Sequence, residues 1–454
     1  METSAVRPYR FNVFCGLLLA LPGVGFANTP AHEFRLDNGL ELIVQEDHRA
    51  PVAVVQVWYR VGSAYEHDGI TGVSHALEHM MFKETKNLAT GEFSELVAAR
   101  GGRENAFTST DYTAYFQQWA AENVEESFRL EAERMQNLVI SDEEFTKEIN
   151  VVLEERRLRT DDNPQALASE AARAVAFQTS PYRQPVIGWA ADIQQMTADD
   201  LRRWYERWYV PNNAIVVVVG DVDPAAVHVL AKKHFGPIEA RPFEPRPARP
   251  EVPQRGIKRL DIVSEKARNP YLVMGFKTPV LRQAVMEEGV EEWEIYALEV
   301  LAETLDGDDS ARLQQNLVRG RELASHIDAG FSAAAMLPGL FYFSAIPRDG
   351  VELAVLEQAV LDEIDRVRTS PPSADELERI KAQVVASHVF ERDSMQHQAI
   401  IIGSLAAVGL DWRLKDSYVE KIHAVTADQV RAVVDKYFHP ATLTVAHLLP
   451  EEAP

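Results

Sequence analysis

Two stretches of this 454-residue chain match each other at a fixed displacement. Thr197-Ala198-Asp199 opens a helical pattern that runs to Trp208, followed by Pro211 and an apolar strand pattern over 214–219. Thr426-Ala427-Asp428 opens a second helical pattern that runs to Tyr437, followed by Pro440 and a strand pattern over 443–447. The threonines and the prolines are both displaced by 229 positions. A threonine before a helix is a common cap, so one copy alone says little. The shared spacing points to a duplicated unit. Between the copies, residues 241–253 hold five prolines in 13 positions, which is an extended linker. At 454 residues the chain also exceeds one ordinary core, since domains run roughly 100–200 residues. The expected division is a first half over 28–240, a linker over 241–256 and a related second half over 257–454.

Each half mixes strand and helix patterns. In the first, 33–45 and 52–59 alternate apolar and polar in part, as half-buried strands do, with Asn38-Gly39 as an early turn. Helical patterns follow over 72–82, 91–100, 122–139 and 141–160. Residues 105–119, rich in Thr, Phe and Tyr, read as strand. The fold class predicted is α+β, two sheets each covered by helices.

A net charge of -23 argues against phosphate-backbone binding, and hence against nucleic-acid partners. Near the start, Arg7 and Arg10 precede an apolar run over 11–26 that ends in Gly25-Phe26-Ala27. That is the form of a secretory signal over 1–27, cleaved after Ala27. The run is too short, and too broken by Pro22, for a membrane anchor of about 20 residues. The single cysteine, Cys15, lies in that segment, so the exported chain is expected to carry no disulfide. Its expected location is periplasmic or secreted.

The chemistry-bearing motif is His75-Ala76-Leu77-Glu78-His79. On a helix, positions i, i+3 and i+4 share a face, so both imidazoles can address one ion with Glu78 beside it. Zinc takes nitrogen ligands and in catalytic sites keeps one position for water. It lowers that water's pKa toward ~7, and a neighbouring carboxylate can take the proton. H-x-x-E-H is a zinc-hydrolase signature in inverted order.

A third ligand is needed, and the helical pattern over 141–160 offers one. Ser141 and Glu144 have the spacing of a capping box at its start. Phe145, Val151 and Val152 mark an expected buried face with Glu148 and Glu155 in its middle, while Glu154 falls on the polar side. Two carboxylates on a buried face, with no lysine there, call for a cation or for arginines from elsewhere. Periodicity does not choose between Glu148 and Glu155.

This motif, this helix and the intervening Gly101-Gly102-x-x-Asn105-Ala106-Phe107-Thr108 together resemble the pitrilysin and mitochondrial processing peptidase family. Asp162-Asn163-Pro164 resembles the family's continuation of the helix. The resemblance implies a third ligand about 76 residues after the second histidine. Glu155 stands at that distance from His79, and Glu148 matches a supporting acid two turns earlier. It implies zinc, a peptide substrate, a half-clamshell of two homologous sheet-plus-helices domains, and Asn105 and Ala106 on the strand that a peptide joins.

The second half departs from the motif. Tyr296-Ala297-Leu298-Glu299-Val300 echoes 75–79 with both histidines replaced. Active relatives also place an arginine and a tyrosine in a second-half segment that here reads Leu317-Val318-Arg319-Gly320-Arg321-Glu322-Leu323-Ala324-Ser325. Aligned by its leucines, Val318 and Ser325 occupy those positions. The resemblance therefore implies the zinc-bearing subunit of a two-chain enzyme, with a metal-free sister chain supplying the Arg/Tyr pair, and otherwise a homodimer. The expected function is a zinc endopeptidase with His75, His79 and Glu155 as ligands and Glu78 as base. The alternatives are a non-catalytic assembly subunit, or a zinc hydrolase acting on small molecules.

Overall fold

The computed structural model describes residues 31–242 and 250–451. The signal reading over 1–27 and the middle of the linker lie outside the described residues. Among the described residues, eleven strands form two sheets. The first contains β1 (Ala31–Arg35), β2 (Glu41–Glu46), β3 (Val52–Tyr59), β4 (Arg103–Thr108), β5 (Thr113–Ala120) and β6 (Ala214–Gly220), in the order β1-β2-β6-β3-β5-β4. The second contains β7 (Lys258–Ser264), β8 (Tyr271–Thr278), β9 (Ala324–Gly330), β10 (Gly339–Pro347) and β11 (Leu443–Pro450), in the order β7-β11-β8-β10-β9. The two orders superpose once β1 is set aside. β2 with β6 and β7 with β11 are the parallel pairs, and the other pairs in both sheets are antiparallel. The displacement read from the sequence is thus matched by one topology used twice.

Two strand readings divide in the structure. The 33–45 stretch breaks into β1 and β2 around a turn in which Gly39 holds φ +87 and Asn38 Nδ2 donates to the carbonyls of Phe235 and Ile238. The 105–119 stretch is a hairpin, β4 and β5, turned at 109–112 by the Ser109 N–H to the Tyr112 carbonyl. Strand-forming residues run through that turn, so composition hides it. The partial alternation also understates burial. Every residue of β6 is buried, and β2 and β3 nearly match it, because the first sheet is covered on both faces.

The covering helices are exchanged between halves. One face of the first sheet packs Leu42, Val44, Val55, Val57 and Tyr59 against Val73, Ala76, Leu77 and Met80 of its own half. The other face, with Ile43, Val54, Trp58, Val217 and Val219, shares a core with the second half, whose Met395–Ala407 helix lies on β3 and β6. In return the Pro164–Ala176 helix of the first half lies on β8 and β11, burying Ala168, Ala172 and Ala176. Packing therefore crosses the boundary read from the sequence, although each sheet keeps to its own half. The linker's far end is fixed by Glu251, whose carboxylate accepts the N–H groups of Gln178, Thr179 and Ser180 and pairs with Lys277 at 2.7 Å. Burial works against that charge, but Lys277 and the backbone donors outweigh it and hold the carboxyl at about 2.

The docking of Met395–Ala407 depends on Gly403, where an added Cβ would lie 2.1 Å from the buried Trp58 ring. Gly403→Ala is expected to destabilise the protein by about 1–3 kcal/mol of overpacking, although alanine is the better helix former. Thermal denaturation checks this, and an unchanged or raised melting temperature would show that the helix does not sit on Trp58.

Candidate metal centre

The histidine motif lies on the Val73–Met80 helix, whose start is fixed by a fully buried carboxylate. Glu66 accepts the N–H groups of Gly72 at 2.7 Å and Ser74 at 2.8 Å, placing negative charge at the helix N-terminus. Gly72 is required there. Its φ is +88, and a Cβ would come within 2.3 Å of the Ile187 carbonyl. With Val73, Ala76, Leu77 and Met80 turned to the core, His75, Glu78 and His79 share the other side.

The expected third-ligand helix spans Asp142–Arg156 and continues as a π-helix over Arg157–Asp161. Ser141 caps its start by accepting the Glu144 N–H, but the Glu144 carboxylate turns to Lys147 at 2.7 Å instead of completing a capping box. Phe145 and Val152 are buried as the face reading requires, whereas Val151 is 49% exposed and belongs to the open side. Glu148 is buried, and Glu154 is exposed and paired with Arg157 at 2.9 Å. The cations that the sequence did not place come from neighbours: Lys83 meets Glu148 at 2.5 Å, and Arg159, from the π turn, meets Glu155 at 2.6 Å.

Ligand atoms of His75, His79 and Glu155 lie within 4.8 Å of one another, the one such cluster among the described residues. Glu155 Oε2 is 3.3 Å from His79 Nε2 and 3.9 Å from His75 Nε2. Ligands held about 2.0–2.1 Å from a tetrahedral zinc sit roughly 3.3 Å apart, so small side-chain shifts would close the set. His79 Nδ1 meets Glu148 Oε1 at 2.9 Å, which leaves Nε2 to face the cluster. Glu78 stands beside them, held by the Thr108 hydroxyl at 2.5 Å.

The electrostatics fit a cation. Burial pushes His75 down to about 4, so it is the neutral imidazole that a metal requires. Burial acts on His79 in the same sense, but the carboxylates of Glu148, Glu155 and Glu78 outweigh it and raise it to about 9. A proton is held where a metal would otherwise supply the positive charge. Burial raises Glu78, the direction that suits a proton acceptor working near neutrality. Thr108, Lys83, Arg159 and Glu66 were not singled out as site residues from sequence. Lys83, four positions after His79, was the most visible of them.

Asn105 and Ala106 lie on β4, the open edge of the first sheet. The Asn105 side chain accepts the Ala106 N–H at 2.9 Å, so a peptide joining that edge must displace it. In the second half, Val318 packs on the core, the Ser325 hydroxyl donates to the Ile346 carbonyl, and Arg319 pairs with Asp309. Tyr342 stands on β10.

Residues 41–189 match the insulinase (peptidase family M16) model, and 195–384 match the peptidase M16 inactive domain. The chain is 31% identical over 427 residues to the zinc protease PqqE of Helicobacter pylori, covering 93% of each protein. It belongs to the M16 peptidase family. A crystal structure of a Helicobacter pylori protease aligns with TM-score 0.87 and 29% identity, over 93% of this chain and 100% of that one. The Escherichia coli periplasmic protease PqqL shares the fold with TM-score 0.74 at 20% identity, this chain covering 48% of it. Curated relatives of this M16 chain are named zinc proteases, among them YmxG of Bacillus subtilis at 24% identity. The "inactive domain" match begins before the linker and covers much of the half that lacks the histidines.

Glu155→Gln is expected to lower zinc affinity by orders of magnitude, Glu148→Gln by about 10–100-fold, and Glu154→Gln hardly at all. Zinc content after dialysis against graded chelator checks the ranking. Equal retention by the Glu154 and Glu155 variants would refute the ligand assignment.

Proposed function

We propose that this chain is an exported zinc endopeptidase for small or unfolded peptides, with zinc held by His75, His79 and Glu155. The observation that carries the reading is the convergence of these three groups beside Glu78. Bound there, zinc supplies Lewis-acid activation of water and of the scissile carbonyl. Glu78 accepts the proton of the attacking water and returns it to the departing amine, with Thr108 fixing the carboxylate between those steps. The open edge of β4 aligns the peptide by backbone hydrogen bonds through Asn105 and Ala106. Glu148 and Lys83 hold the His79 ring in orientation.

The reading includes a metal-free sister chain. Val318 and Ser325 cannot serve as an arginine and tyrosine toward a developing oxyanion, and a single donor of that kind is worth about 2.7–4 kcal/mol. PqqL, of which this chain covers 48%, is a relative in which a second such half continues the same polypeptide. A non-catalytic assembly subunit is the competing reading, favoured by those two substitutions. An intact Glu78 within reach of the ligand set speaks against it.

Glu78→Gln is expected to retain zinc and to lose peptide cleavage by several orders of magnitude, because an amide cannot accept the proton. Cleavage assays beside zinc analysis decide it, and turnover near wild type with metal bound would remove Glu78 as the base. Purification from the native host is expected to yield a chain beginning near Asn28, from outside the cytoplasm, together with a related chain carrying the missing pair. An intact Met1, or full activity from this chain alone, would overturn those parts of the reading.

A further inference from the structure

Both elements that build the metal centre continue into one cleft. β4 ends at Thr108, the Glu78 partner, and the next residues, Ser109 to Tyr112, form one wall. The Asp142–Arg156 helix passes through its π turn into the Pro164–Ala176 helix, which forms the second wall with Ser169 and Arg173. The third wall is the second sheet, where Tyr271 and Tyr342 face the space. The cleft measures about 580 Å³, within the ~300–1,000 Å³ usual for ligand sites. Tyr342 is 48% exposed, and its ring lies over Gly330 of β9, where a Cβ would come within 2.6 Å of it. The aromatic wall is therefore shaped by the glycine opposite it.

One group in this cleft is unanswered. The Arg173 guanidinium lines the cleft, is exposed there, and makes no hydrogen bond and no ion pair with any described residue. Asp111, whose charge acts on this guanidinium, makes no hydrogen bond or ion pair with it. Asp111 spends Oδ2 on the Tyr182 hydroxyl at 2.6 Å and the Met336 N–H at 3.0 Å, and its buried Oδ1 has no partner. An unpaired guanidinium presents a planar fork that suits a carboxylate. In a protein of net charge -23 the long-range field repels anions, so a carboxylate settles here only through a local contact.

We propose that Arg173 is a specificity residue: it receives a carboxylate of a peptide that lies along the open edge of β4 and runs on into this cleft, with its apolar groups against Tyr271 and Tyr342. This rests on the peptidase reading given above. The carboxylate comes from an aspartate or glutamate side chain or from the peptide's C-terminus, and the two sources are separable.

The test uses the zinc-loaded protein together with any related chain that copurifies with it. Neutral, C-terminally amidated peptides receive a single Glu, or Gln as control, at each position in turn, and one further pair differs only in a free or amidated C-terminus. At one Glu position, or at the free C-terminus, kcat/KM is expected to rise tenfold or more over the neutral counterpart, the scale of a hydrogen bond to a charged group. In Arg173→Gln that ratio falls to about one, and in Arg173→Glu it inverts in favour of a Lys peptide. A preference at a Glu position assigns a side-chain carboxylate, and a preference at the free terminus assigns the end of the chain. Equal cleavage of every acidic and neutral pair by the wild type would overturn the proposal, as would a preference that survives Arg173→Gln. If no peptide is cut, the peptidase reading fails. Fluorescence anisotropy of the same labelled peptides then decides the Arg173 contact alone: tighter acidic binding lost in Arg173→Gln upholds it, and equal binding overturns it.

Discussion

Everything in this molecule depends on a sheet with two apolar faces. β6, Ala-Ile-Val-Val-Val-Val-Gly, offers no polar side, so the first sheet must be covered twice. Its own half covers one face with the histidine helix. The other face is covered from the far end of the chain by Met395–Ala407, and the Pro164–Ala176 helix returns the arrangement on the second sheet. Neither half buries its sheet alone. The candidate metal centre lies between the two consequences, on a helix packed to the first sheet and on one that leads directly into the exchanged helix. A disturbance at Trp58 and Gly403 therefore acts on the same sheet that carries the site.

The site itself is an electrostatic balance. Glu148 and Glu155 are held ionised by His79, Lys83 and Arg159 against the cost of burial. Their combined field keeps a proton on His79, while the more enclosed His75 stays neutral. The helix that presents these rings is anchored by a third buried carboxylate, Glu66, at its start. Acidic groups thus set both the position and the protonation of the two imidazoles, an arrangement suited to a divalent cation.

What was legible in the sequence follows from how local each signal is. His75, Glu78 and His79 sit on one turn of helix, so spacing alone groups them. Glu148 and Glu155 were separable from Glu154 by helical angle, yet choosing Glu155 took the family resemblance, because both acids share a face. Val151 shows the limit of that angle: its face opens to the side and no core covers it. Lys83 and Thr108 lie beside motif residues and Arg159 four positions after Glu155, but their convergence on one site is tertiary and local spacing does not show it. The hairpin at 109–112 is hidden because Thr110 and Tyr112, good strand formers, run through it. The helix exchange left no local trace, since alanines and a glycine on a helix look alike whichever sheet they meet.

The second half shows what becomes of the same helix position when the cations are absent. The Glu292–Asp306 helix comes between β8 and β9 as the histidine helix comes between β3 and β4. Its Glu299 stands where Glu78 stands in the echoed motif, but Tyr296 and Val300 replace the histidines. Glu299 is enclosed, one carboxylate oxygen has no partner, and burial pushes it up to about 8. The Tyr418 hydroxyl works against that rise without cancelling it, and Glu303 adds to it. At neutral pH this acid keeps its proton and acts as a buried hydrogen-bonding group. A carboxylate in such a place stays charged only beside a metal, a fixed cation or several N–H donors. With Tyr296 and Val300 at the echoed positions, burial keeps the acid between them protonated while the helix holds the same place in the strand order.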